Sequence, residues 1–160
     1  MISDEVKMQV GVYRFRCDIC GGEAEEPAMH PYHYGALLLR AGSNEYAILD
    51  TLQIEVADEV SELLHEALPK LKHKSRESAA LFQAIAGWVC CDTSPDGKPY
   101  KIVGDPYCPT CECVSELWTR DDAPPVRMID LPIATHTIWN RLAPEEKEQK
   151  LLSALGISDR

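Results

Sequence analysis

Apolar and polar side chains alternate with a period of two along KMQVGVYRFRC, residues 7–17. Tyr13, Phe15 and Cys17 fall on one face of this segment, and Val12, Arg14 and Arg16 on the other. That alternation predicts a half-buried strand, and CDICGG turns sharply behind it. EAEEPAMHPYHYG is polar and shows no regular period. Two apolar runs, ALLL and NEYAILD, then flank Gly42-Ser43-Asn44, a pattern that fits a hairpin or a short helix over 33–40. From Asp50 the period changes. DTLQIEVADEVSELLHEAL places Leu52, Val56, Val60, Leu63, Leu64 and Ala67 on one helical face, with Asp50 as N-cap and Pro69 as stop. After the basic link KLKHKSR, a second helix starting near Ser75 buries Leu81, Phe82, Ile85 and Val89.

The later chain is more broken. DTSPDGKPY reads as a turn, YKIVGDPY as a strand, VSELW as a further strand, DDAPP as a loop and VRMIDL as another strand. Thr135 is placed to cap a short helix through Leu142. Pro144 suits the first turn of a last helix, with Glu145 and Glu146 at its positive end and Gly156 closing it. There is no internal repeat and no low-complexity linker, so 1–160 is expected to form a single α+β domain.

Composition narrows the class. The chain is 45% hydrophobic and 26% charged, which suits a folded protein, and its net charge is −10. A surface that negative repels phosphate backbones and anionic lipid and attracts basic partners. Nucleic-acid binding is therefore disfavoured. The longest apolar run, AALFQAIAGWVCC, is too short to span a bilayer and contains Gln83. The first residues, MISDEVKMQ, carry acids where a signal peptide has a basic region. The expected location is the cytoplasm, where clustered cysteines bind metal more often than they form disulfides. Seven cysteines, an odd number, also suit a disulfide framework poorly.

Four of the seven form two Cys-x-x-Cys pairs, Cys17-Asp-Ile-Cys20-Gly-Gly and Cys108-Pro-Thr-Cys111. Two intervening residues let a tight turn aim both sulfurs at one point, so each pair can supply half of a tetrahedral four-thiolate site. Each follows an expected strand, and 87 residues separate them. At these residues the chain resembles zinc-ribbon and rubredoxin-like proteins: YRFRCDICGG is similar to their first knuckle and YCPTC to their second. The resemblance covers about 20 residues and implies Cys17, Cys20, Cys108 and Cys111 as ligands of a structural zinc, with iron as the alternative metal.

It further implies a small zinc-ribbon-like antiparallel sheet built from halves at about 8–24 and 100–120. A helical insertion at about 45–91 lies between the knuckles, and a C-terminal helical tail spans about 126–160. One position departs from the pattern. A glycine usually follows the second cysteine of each knuckle; Gly21 conforms, but Glu112 stands at the other site. Two readings stay open there: Cys113 replaces Cys111 as ligand, or the second turn is distorted.

The remaining chemistry is weaker. Cys90 and Cys91 read as buried thiols at a helix end, against a second site or a redox switch with Cys113. His30 and His33 form His-x-x-His, which reads as surface or core histidines rather than ligands. DTSPDG imitates half of an EF-hand loop, but Val103 stands where the bidentate glutamate belongs, and a Pro-Asp-Gly turn explains it. Lys70, Lys72, Lys74 and Arg76 form the one dense basic patch, without interleaved aromatics.

No nucleophile elbow, P-loop, dinucleotide fingerprint or H-E-x-x-H is present, and a closed four-cysteine site leaves a zinc no open position. The expectation is a non-catalytic binding protein. Its distinctive surface is the acidic helix ridge of Glu55, Asp58, Glu59, Glu62 and Glu66, suited to a basic protein partner as an inhibitor, immunity or accessory protein. The rival classes are a nucleic-acid-binding accessory protein using 70–76 and a rubredoxin-like iron redox protein.

Overall fold

The structure is a computed structural model, and it describes residues 4–29, 34–42, 45–52, 55–70, 78–103, 108–113 and 124–156. Six strands and four α-helices occur among them: β1 (Glu5–Arg16), β2 (Glu23–Met29), β3 (Ala36–Ala41), β4 (Glu45–Asp50), α1 (Glu55–Ala67), α2 (Ser78–Cys90), β5 (Lys101–Ile102), β6 (Val126–Pro132), α3 (Thr137–Arg141) and α4 (Pro144–Ala154). The α+β class is as expected. The strands, however, form two three-stranded sheets rather than one. The first has the order β2-β1-β6 and the second β4-β3-β5, antiparallel throughout.

β1 is long enough to hold two partners in tandem. Its first half pairs with β6, from Glu5↔Pro132 to Gly11↔Val126, and its second half with β2, from Val10↔Met29 to Arg16↔Glu23. The expected face is observed in part: Phe15 and Cys17 are buried, Arg14 and Arg16 exposed, and Tyr13 half-buried. β2 was not predicted, because its residues lack apolar alternation. Its backbone ladder with β1 makes it a strand, and cross-strand charge pairs with it. Glu25 receives Arg14 at 3.2 Å and Arg127 at 3.8 Å from two different strands. Pro27 is tolerated because β2 is an edge strand.

The β3–β4 hairpin lies between the first sheet and the helices. Leu39, Ala41, Ala47 and Leu49 face Val60, Leu64, Ile85, Val89, Trp139 and Leu151 in the main core. Leu38 and Ile48 face the other way and meet Leu131, with Val6, Met8, Met29 and Ile129 around them. The hairpin reading of 36–50 therefore holds, and the helix over 33–40 does not. Between the sheets, buried Glu26 of β2 is ion-paired with Arg40 of β3, a side chain only 13% exposed. Removing one member of such a pair costs about 3–5 kcal/mol, since the other charge is stranded.

α1 starts later than its apolar period suggests. Asp50 ends β4, where its Oδ1 accepts the Leu52 N–H at 3.0 Å, and Leu52 is exposed outside the helix. A short 3₁₀ turn over Leu68–Lys70 carries the chain through Pro69. α2 packs tightly on the strand beside it. A Cβ on Gly87 would sit 2.8 Å from the Tyr100 carbonyl oxygen, so only glycine fits.

Thr135 is not the cap of α3. Asp92, 43 residues earlier, takes that role: its carboxylate accepts Thr137 N–H and Ile138 N–H at 2.9 Å each and the Thr135 hydroxyl at 2.6 Å. The rest of DTSPDG closes as a turn, with Gly97 N–H donating to the Ser94 carbonyl at 2.8 Å. Pro144 opens α4 as expected, and Glu146 reaches back to the Ala143 N–H at 2.7 Å. Residues 126–156 are thus built into the sheet and the core rather than appended as a tail. β5, expected to lead into the second knuckle's half of a ribbon, pairs with β3 in the other sheet.

Glu59 joins three helices. Its carboxylate accepts the Trp139 indole N–H at 2.8 Å and Lys147 Nζ at 2.7 Å, and Lys147 lies 5.3 Å from the centre of the Trp139 ring. Burial works to raise the Glu59 pKa, but the hydrogen bonds from Lys147 and Trp139 outweigh it and hold the carboxyl below its ordinary range. A carboxylate with a depressed folded pKa stabilises the fold above its unfolded value, about 4.3, and loses that contribution as pH falls through the folded value. Glu59→Gln should therefore lower stability at pH 7 by about 1 kcal/mol, the exposed side of the group limiting the effect. Urea melts of the two proteins should converge as the pH is taken below 4.3.

Candidate metal centre

The first knuckle is the connection between β1 and β2, and the second lies at 108–113. They repeat one another bond for bond. In the first, Gly21 N–H donates to the Cys17 carbonyl at 2.9 Å and Cys17 N–H to the Gly22 carbonyl at 2.8 Å. In the second, Glu112 N–H donates to the Cys108 carbonyl at 2.9 Å and Cys108 N–H to the Cys113 carbonyl at 2.9 Å. The sulfurs repeat as well: Gly22 N–H lies 3.4 Å from Cys20 Sγ, and Cys113 N–H is directed at Cys111 Sγ.

The two turns converge on one point. The Sγ atoms of Cys17, Cys20, Cys108 and Cys111 all lie within 4.8 Å of one another. Cys17 and Cys111 are 3.6 Å apart, Cys20 and Cys108 3.5 Å. A tetrahedral ion with metal–sulfur bonds of about 2.3 Å has sulfur–sulfur edges of about 3.8 Å, so the measured edges fit one. The first cysteine of each knuckle is buried; Cys111 is half-buried and Cys20 exposed. Among the described residues apolar packing here is slight, with Phe15 the one large buried side chain beside Cys17 and Cys108.

Electrostatics favour a cation among these thiols. Backbone N–H from Cys111, with help from Thr110 and the thiols of Cys20 and Cys111, outweighs burial and holds Cys108 down at about 6. The first thiolate opposes the next. The Cys113 N–H favours a Cys111 thiolate, yet burial and the neighbouring thiols push its pKa up. The Gly22 N–H favours a Cys20 thiolate, but Cys108 and burial raise it too. Four thiolates this close need a positive charge at their centre to ionise together.

Glu112 adopts φ +59°, matching Gly21 at φ +71°, and is the one non-glycine residue with positive φ among the described residues. The second turn is thus undistorted, and the strain falls on Glu112. Cys113 is not a member of the sulfur cluster. Its carbonyl closes the knuckle and its thiol donates to the Cys111 carbonyl at 3.4 Å.

No family model matches the chain, and neither does any curated protein or solved structure.

The other sequence candidates divide. Glu55, Asp58, Glu62 and Glu66 are exposed along α1, whereas Glu59 is engaged by Trp139 and Lys147. His30, His33, residues 71–77 of the basic link and VSELW lie outside the described residues. No helix among the described residues is long and apolar enough to cross a membrane. Cys90 and Cys91 are buried at the end of α2 as expected, but their neighbour is His136 rather than Cys113. No spacing rule links His136 to them, and only the fold brings it there.

A residue with a side chain costs about 1–2 kcal/mol in the left-handed region, part of which glycine's flexibility in the unfolded chain gives back. Glu112→Gly should therefore stabilise the protein by about 0.5–1 kcal/mol. A rise in the denaturation midpoint, with metal-binding stoichiometry unchanged, is the outcome to look for.

Proposed function

We propose that the protein is a zinc-ribbon-type zinc protein that works by binding a basic protein partner in the cytoplasm and carries out no catalysis. The observation that carries the reading is the closure of the site. Two knuckles of identical hydrogen bonding bring four sulfurs to one point. An ion held by all four has no open position for water or substrate, so its work is structural. Zinc has no redox chemistry and suits such a site, and it adds to the small cluster that Phe15 and its neighbours form among the described residues.

Support for a binding role comes from α1. Its buried face, Val56, Val60 and Leu64, packs into the core and leaves Glu55, Asp58, Glu62 and Glu66 on the outside. No ion-pair partner faces these four carboxylates among the described residues. A row of exposed acids on a chain of charge −10 attracts a basic surface over long range and speeds its association. A partner inhibited or held by this face is the natural use of such a ridge.

Two measurements test the reading. The protein purified from cells grown with both metals should carry zinc at the four-cysteine site, and Cys17→Ser with Cys108→Ser should release it. Iron bound there instead would turn the reading toward electron transfer. Reversing Glu55, Asp58, Glu62 and Glu66 to lysine should slow association with proteins cross-linked to the wild type by tenfold or more at low salt. An unchanged rate would remove the ridge from the function.

A further inference from the structure

A second group of metal-ligating side chains lies at the junction of α2 and α3. The Sγ atoms of Cys90 and Cys91 and a ring nitrogen of His136 lie within 4.8 Å of one another, all three residues buried. Backbone contacts hold the segments together: Asp92 N–H donates to the Thr135 carbonyl at 2.8 Å, and the Asp92 carboxylate caps α3. The ligand atoms are thus placed by the ends of two helices and not by a loose loop.

The hydrogen bonds define which atoms are free. His136 Nδ1 lies 2.6 Å from the Cys90 carbonyl oxygen, which can only accept, so Nδ1 carries the ring proton. In the neutral imidazole, the form that ligates a metal, Nε2 then holds a lone pair. Among the described residues it is buried and has no hydrogen-bond partner, on a residue only 9% exposed. The Cys90 S–H donates to the Ala86 carbonyl at 3.0 Å, and the Cys90 thiol also interacts with the His136 ring. An imidazole fixed through Nδ1–H to a carbonyl, with Nε2 bare, has the orientation that metal-binding histidines take. An unsatisfied buried nitrogen is otherwise costly.

We propose that Cys90, Cys91 and His136 form a second metal site, separate from the four-cysteine centre, for a zinc-class divalent cation. Two thiolates and one imidazole supply three ligands. Asp92, the nearest carboxylate in sequence, is committed to α3, and the described residues offer no fourth ligand, which leaves that position to solvent or a small exogenous ligand. Binding releases the thiol protons of Cys90 and Cys91 and fills the vacant acceptor at Nε2.

Cobalt(II) titration of the metal-free full-length chain tests this, with metal content measured after gel filtration. The wild type should take up two equivalents. His136→Asn keeps a side-chain N–H for the Cys90 carbonyl and removes Nε2, and it should weaken the second equivalent by about 100-fold or more. Cys91→Ser should do the same while leaving the four-thiolate spectrum intact. The Cys17→Ser, Cys108→Ser protein should keep one equivalent with weaker sulfur-to-cobalt charge transfer, which separates this site from the four-cysteine one. Saturation of the wild type at one equivalent overturns the proposal. So does a second equivalent that survives both His136→Asn and Cys91→Ser. The wild-type count decides even if a variant fails to fold.

Discussion

Strands β3 and β4 carry apolar side chains on both faces, and such a hairpin must be covered twice. Leu39 and Leu49 need the helices, while Leu38 and Ile48 need the first sheet. Burying a side chain of this size contributes about 1.5–3 kcal/mol, so neither cover is optional. The layering follows: β1, β2 and β6 on one side, the hairpin in the middle, and α1, α2, α3 and α4 on the other. Arg40 sits on the inter-sheet face of this hairpin, and it meets its buried requirement by pairing with Glu26 across the gap.

The knuckles lie where this layering offers least. Among the described residues, Phe15, Ala24 and half-buried Cys111 are what packs on the buried Cys17 and Cys108, whose chain segments lie 87 residues apart. An ion held by the four sulfurs would join the two segments through bonds stronger than packing. The second turn accepts a strained Glu112 to copy the geometry of the first, as expected where coordination over-determines the backbone. Gly22 of one knuckle lies against Thr110 of the other, so the two turns also touch directly.

Carboxylates do three different jobs here. Glu26 is buried and neutralised, Asp92 caps a helix that follows it by more than 40 residues, and Glu59 binds an indole and an ammonium at once. The exposed acids of α1 have none of these internal duties among the described residues. That separation is what gives the proposed partner surface its distinct character. It also shows that an acidic pattern read from a helix repeat overcounts by those residues the rest of the fold has claimed.

Local chemistry was legible in the linear chain. The helical periods of α1 and α2, the strands β1 and β6, the two apolar runs of the hairpin and both Cys-x-x-Cys turns depend on neighbours within a few residues. The four sulfurs were legible for the same reason, since each turn aims its own pair. What required the tertiary structure was every feature whose partner is distant. β2 is a strand because it pairs with β1, and Arg14, Arg127 and Arg40 donate to its carboxylates; Asp92 reaches α3 because α2 ends beside it. His136 meets Cys90 and Cys91 by the same meeting of helix ends. Periodicity reports which face a residue is on. It carries no information about which distant side chain that face will find, because that is decided by how the layers close over a hairpin buried on both sides.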